Sequence, residues 1–148
     1  VVAKVLSLAD GRSVGVHRPR RTMRVYGDPV QIASAMSNLV CNALLYGLPQ
    51  EPPCVVELRH ETLGSRVRVA VCDRGSGMTA EQSAKAFQMF ERFHPEVPGT
   101  GLGLATVRRV MERHGGHAWI DSEPDRGTAV WMEWPGGSAD AFGKANTL

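Results

Sequence analysis

The sequence predicts an α/β fold in which one sheet carries three helices on a single face. Strand-like alternation and helical periodicity are interspersed along the chain, without the regular β-α-β rhythm that builds a parallel sheet covered on both sides. The 148 residues, 43% of them apolar, fit most simply one domain with a real buried core.

Taken in order, residues 1–8 fit the end of a helix or a strand equally well. Arg12 to His17 and Thr22 to Tyr26 alternate as two short strands. Asp28 before Pro29 supplies an N-cap and then a proline at the first helical position. The helix that follows stacks Ile32, Met36, Leu39 and Ala43 on one face and runs to Tyr46, where Gly47 and Pro49 stop it. Val55 to His60 and Arg66 to Cys72 read as strands joined by a turn at Gly64-Ser65. Thr79 caps a second helix running towards Phe90, and Glu91 to Thr100, with two prolines, is a loop. A third helix spans Gly101 to His114 and stops at Gly115-Gly116. His117 to Ser122 and Thr128 to Glu133 are strands around a turn at Gly127. The ordered unit is thus expected over residues 1–135, and the small, polar residues 136–148 have the composition of a disordered tail.

Composition excludes more than it selects. The formal charge of +2 comes from 17 basic and 15 acidic residues spread along the chain, and only Arg18, Arg20, Arg21 and Arg24 cluster, too few to predict nucleic-acid binding. No apolar run approaches the ~20 residues of a membrane span, and the first residues do not read as a signal peptide. Cys41, Cys54 and Cys72 have no C-x-x-C spacing and sit among apolar neighbours, as small core residues of a reducing, cytoplasmic compartment do.

Three patterns carry chemistry. Asn38 and Asn42 lie one turn apart and border the packed side of the first helix, with Leu45 on the same face in projection. An amide oxygen is a neutral hard ligand suited to Mg²⁺, which takes its remaining oxygens from water and phosphate. From the helix alone, two exposed polar groups are the simpler account. Asp73 ends a strand of Val67, Val69 and Val71 and precedes Gly75 and Gly77, so its carboxylate is held beside backbone that a flat ring can approach. An ordinary strand-to-helix turn uses the same residues. Gly99-Thr100-Gly101-Leu102-Gly103-Leu104 offers backbone N–H groups at a helix N-terminus, an anion site, but lacks the βαβ context of a dinucleotide fingerprint and the Lys-Ser/Thr of a P-loop.

In this order and spacing the patterns resemble the ATP-binding catalytic domain of sensor histidine kinases, within the superfamily that also holds DNA gyrase, Hsp90 and MutL. The resemblance covers roughly residues 25–134. Asn38 to Tyr46 is similar to the family's N box, Asp73 to Met78 to its first glycine box, Phe87 to Phe93 to its F box, Gly99 to Leu104 to its second glycine box, and Ser122 to Thr128 to its late closing turn. It implies a two-layer sandwich with a mixed sheet and three helices on one face, the Bergerat-type ATP-binding fold, and it implies ATP and Mg²⁺ as ligands. By the same resemblance Asn42 holds the metal against the phosphates, Asp73 reads the adenine amine and Phe90 anchors a lid. The nucleotide set it implies is Asn38, Asn42, Tyr46, Asp73, Gly75, Gly77, Met78, Phe90, Gly99, Thr100, Gly101, Leu102, Gly103, Leu104 and Thr128, with Arg92 joining Asn38 and Asn42 in catalysis.

Departures from the pattern refine the expectation. The gyrase, Hsp90 and MutL branch, like the anti-sigma serine kinases, has a base four residues before the metal asparagine. Here that residue is Asn38, which cannot take a proton, so the site suits presentation of ATP to a nucleophile already carrying a lone pair, such as neutral imidazole. None of the five histidines has the family's acceptor context, His60-Glu61 coming nearest, so the acceptor belongs to a separate helical dimerisation domain, and a response-regulator receiver is the next partner. The fragment is then expected to be monomeric within a homodimeric kinase. Leu45 replaces a common phosphate-neutralising Lys or Arg, and the short Phe93-to-Pro98 lid looks like those of phytochrome-type kinases. His94 lies in that lid, where phosphate contact and simple solvation are both open. The alternatives are an ATPase or serine kinase of the same superfamily and a phosphatase-biased or non-catalytic interaction domain.

Overall fold

The computed structural model describes residues 14–17, 24–47, 54–96, 99–135 and 145–147. A five-stranded sheet has the order β1-β3-β4-β6-β5, built from β1 (Val14–His17), β3 (Cys54–Leu63), β4 (Arg66–Cys72), β5 (His117–Ser122) and β6 (Thr128–Trp134). β1 runs parallel to β3 and the other pairs are antiparallel, so the sheet is mixed as expected. The helices are α1 (Pro29–Tyr46), α2 (Ala80–Lys85) and α3 (Gly103–Arg113). A separate ribbon pairs β2 (Arg24–Tyr26) with β7 (Ala145–Thr147).

The strand period of two divides the sheet into a covered and an open face. Val56, Val69, Val71, Val130, Met132 and Trp134 meet Ile32, Met36, Leu39 and Val40 of α1 and Val107, Val110 and Met111 of α3 in one core. The four apolar positions predicted for α1 are all buried. Asp28 caps that helix, its Oδ1 accepting the N–H groups of Val30 and Gln31 at 2.8 and 3.0 Å. No helix among the described residues is long and apolar enough to cross a membrane.

Several expectations change. α2 stops at Lys85 instead of running towards Phe90. A capping box between Thr79 and Gln82 starts it, but Gln88 N–H bonds back to Lys85 O, a tighter turn that ends the helix while Phe87 packs on the core. α3 begins at Gly103, not Gly101, because Gly101 has φ +69°, a left-handed conformation that no right-handed helix accommodates. The tail expected over 136–148 includes β7, which pairs antiparallel with β2; residues 136–144 lie outside the described residues, as do 1–8. His114, expected as a cap or surface group, is the C-cap of α3 and, at 3% exposed, not a surface group. Its Nε2 accepts the Asp28 N–H at 2.9 Å, so the ring proton sits on Nδ1, which donates to Val110 O at 2.7 Å. The imidazole thereby ties the start of α1 to the end of α3, aligning the helices whose other ends form the site.

Candidate functional site

The site lies where β4, α1 and α3 converge. A cavity of about 230 Å³ is lined by Asn38, Asn42, Tyr46, Asp73, Gly77, Met78, Arg92, Gly99, Thr100, Gly101, Gly103, Leu104 and Thr128 of the residues singled out in the sequence. At one end, β4 delivers Asp73. Its Oδ1 accepts from Gly75 N–H at 2.9 Å and Thr128 N–H at 3.2 Å, leaving Oδ2 without a hydrogen-bonded partner among the described residues. Burial pushes the Asp73 carboxyl above its ordinary range, and the two N–H donors oppose that shift. One oxygen is thus spent on orientation and the other remains available as an acceptor for an amine.

The backbone around Asp73 is packed too closely for other residues. A Cβ on Gly75 would lie 2.1 Å from the Tyr46 carbonyl oxygen, so the first glycine segment rests on the end of α1. Gly75 is therefore a packing position outside the cavity lining. Ser122 holds the far wall: its Oγ accepts from Met78 N–H at 2.9 Å, donates to Gly127 O at 2.9 Å and lies 3.0 Å from Thr128 Oγ1. The sequence placed Ser122 at the start of the late closing turn, but not its bonds, because the partners come from two separate turns.

At the other end α1 and α3 meet. A Cβ on Gly103 would lie 3.6 Å from Asn42 Oδ1 and 3.8 Å from Asn38 Oδ1, so both amides stand against the first residue of α3. Leu102 gives that helix no side-chain cap. Its first N–H groups and the positive end of its dipole are left for an anion beside two amides, the geometry of a phosphate and hard-metal site.

The lid crosses between these ends. Phe90 donates its N–H to Gly101 O at 2.9 Å and has φ +68°, but its ring is 71% exposed and does not line the cavity. The expected aromatic anchor is replaced by a backbone one, and Phe93 is the lid aromatic that lines the cavity. Leu102 is also outside the lining. Glu91, Ser76, Ala86, Val71 and Val130 line it without having been singled out, their places following from sheet register and lid path. Arg92 donates to Pro95 O at 2.7 Å, and His94 Nδ1 lies 3.0 Å from Glu96 Oε1. Leu45 is in the lining, 43% exposed, as its helical position predicted.

Residues 27–138 match the family described as histidine kinase-, DNA gyrase B- and HSP90-like ATPase. The chain is 35% identical over 139 residues to the methanogenesis regulatory histidine kinase FilI of Methanothrix harundinacea, covering 91% of this chain and 16% of that protein. It is 38% identical over 112 residues to the sensor histidine kinase ZraS of Klebsiella oxytoca, covering 76% and 23%. Among solved structures, the mycobacterial sensor histidine kinase MprB superposes with a TM-score of 0.76 at 26% identity, covering 91% of this chain and 89% of that one. Full-length ShkA, solved in complex with AMPPNP, gives 0.73 at 26% identity over 93% of this chain and 29% of that one. The chain spans 16% to 30% of the length of such curated relatives.

Proposed function

The chain belongs to the histidine kinase-, DNA gyrase B- and HSP90-like ATPase family, as the ATP-binding catalytic region of sensor histidine kinases, and from that premise we propose that it presents ATP to a histidine on a separate dimerisation domain. The catalytic unit takes in the family match, residues 27–138, and the β7 strand that pairs with β2. Asp73 accepts a hydrogen bond from the adenine amine through Oδ2, with Met78 and Thr128 beside the ring. The N-terminus of α3 and the Gly99–Leu104 loop hold the phosphates. The meeting of Asn38, Asn42 and Gly103 is the observation that carries this reading.

The donor set fits Mg²⁺. The described residues hold no cluster of three His, Cys, Asp or Glu side chains, and an amide oxygen beside a phosphate site is the sparse protein contribution that a metal retaining its waters requires. Asn42 would hold it, and the metal would neutralise charge on the β- and γ-phosphates. Asn38, unable to accept a proton, hydrogen-bonds and orients. The acceptor imidazole attacks the γ-phosphorus with its own lone pair as the bond to the β-phosphate oxygen breaks, and ADP leaves. The phosphoryl group then passes to an aspartate of a response-regulator receiver. The intact kinase is a cytoplasmic-facing homodimer in this reading.

Calorimetric titration with ADP and ATP, with and without Mg²⁺, tests it. Binding should be strengthened by the metal, and Asn42→Ala should lose that dependence. Failure to bind either nucleotide removes the reading; unchanged metal dependence in Asn42→Ala removes that residue's role.

A further inference from the structure

The cavity carries few cations. Among its described lining residues only Arg92 and His94 are basic, Asp73 and Glu91 are acidic, and α1 contributes Leu45 where a cation would offset phosphate charge. Arg92 is engaged with the Pro95 carbonyl. His94 is built differently. Its ring centre lies 5.8 Å from that of Tyr46 at an interplanar angle of 37°, and its Nδ1 faces Glu96 Oε1 at 3.0 Å. Tyr46 also approaches the opposite end of the lid, since a Cβ on Gly99 would lie 3.7 Å from its hydroxyl. The last residue of α1 therefore supports both lid ends, with His94 held between an aromatic surface and a carboxylate.

Building on the nucleotide reading above, we infer that His94 is a specificity-determining cation, the pH-dependent one of the two in the cavity, that favours ATP over ADP, and that Glu96 is an internal anion which the terminal phosphate displaces. Both side chains can make that exchange: His94 is 40% exposed and Glu96 68%, so their pairing is solvent-screened and weak. A terminal phosphate offers more charge and several acceptor oxygens, making charge-assisted bonds stronger than the pair it replaces. The charged and titratable groups around the imidazole are Glu96 and Arg92 on the lid, Tyr46 on α1, and Glu91 in the same cavity. Glu96 is held below the ordinary carboxylate range by its own backbone N–H first and by His94 second, so it remains an anion throughout the range in which imidazole titrates.

The sign follows. Imidazolium attracts the terminal phosphate, whereas neutral imidazole offers at most one hydrogen bond. Preference for ATP is therefore greatest while the imidazole carries its second proton and is lost with that proton. ADP lacks the terminal phosphate that the imidazolium holds and does not share that loss.

Calorimetry with ATP and ADP in excess Mg²⁺, at about pH 6 and about pH 8, on the wild-type chain, His94→Gln and Glu96→Gln tests this. The ATP-to-ADP affinity ratio should fall about tenfold across that range in the wild type and stay flat in His94→Gln, which also reports any contribution from titration of the nucleotides. Glu96→Gln should tighten ATP about threefold near neutrality and leave ADP unchanged. A ratio independent of pH in the wild type, or one whose dependence survives in His94→Gln, overturns the assignment. In either case ADP binding persists and the nucleotide site stands. Loss of ADP binding in all three proteins would overturn the site itself.

Discussion

Arg92 and Leu45 together set how much positive charge the cavity offers a phosphate. Arg92 is permanently charged and sits in the lining with one guanidinium nitrogen on Pro95 O, so it follows the lid wherever the lid goes. In the proposed reading Arg92 faces the γ-phosphate, which a diphosphate lacks. Arg92→Ala is therefore expected to weaken ATP more than ADP. Leu45 lines the same cavity from α1, and Leu45→Lys should tighten ATP by about 1 kcal/mol, the scale of one partly solvated charge-assisted bond. Calorimetry on both variants checks this; equal losses for the two nucleotides with no gain from the lysine would place both residues away from the γ-phosphate. Single residues were legible where chemistry is local. Asn38, Asn42 and Asp73 reach the cavity because helix period and strand end dictate it. Phe90 holds Gly101 through its backbone and lies outside the lining, since whether a loop ring turns inward depends on tertiary contacts that spacing does not encode. His94 and Ser122 acquire meaning only from partners distant in sequence or across a turn.

Elements were legible where periodicity is strong, and α1 runs between the residues its caps predicted. β3 was expected to end at His60 but extends to Leu63 because pairing with β4 carries polar residues through to the hairpin at Gly64-Ser65. Cross-strand pairing also explains the open sheet face. Glu133 on β6 lies opposite Arg68 and His117, is 2% exposed, and is covered by Arg66 at 3.0 Å, by Arg68, and by His117 at 3.7 Å. Arg68 also lies 5.3 Å from the Trp119 ring centre, and Trp119 stacks on Trp131 at 5.7 Å with 6° between planes. The Arg68 hydrogen bond above all holds the Glu133 carboxyl below its usual range. A depressed carboxyl stabilises the fold at pH above its unfolded value of about 4.3 and loses that contribution as pH falls through the folded value. Glu133→Gln is expected to cost about 1–2 kcal/mol near neutrality, less than a fully enclosed pair because both arginines are partly solvated. Urea melts of the two proteins should converge on acidification; a difference that persists below about pH 3 would show that packing, not charge, is what the glutamate supplies.

At the scale of the whole molecule, the architecture gathers the proposed nucleotide-binding residues in one cavity and places four of the five histidines outside its lining. Of the five histidines, His17 lies in β1 and His117 on the open sheet face beside Glu133. His114 is engaged at both ring nitrogens deep between α1 and α3. His60, the nearest sequence match to an acceptor, sits on β3 with Nδ1 buried and outside the cavity lining. His94 alone lines the cavity, and it does so from the lid, paired with Glu96. An in-line attack needs an imidazole approaching the γ-phosphorus from the side opposite the leaving ADP, with its own backbone anchored independently of the nucleotide. A histidine on the covering lid does not meet that condition. Incubation of this chain with γ-labelled ATP and Mg²⁺ is therefore expected to leave no acid-labile phosphate on it, and with Asn38 in the base position only slow release of inorganic phosphate. Adding a kinase chain that carries the helical dimerisation domain but cannot bind ATP should bring label onto that partner. Acid-labile label on this chain alone would show that a histidine within it accepts phosphate, and since the cavity admits only His94, His94→Gln would then abolish the signal.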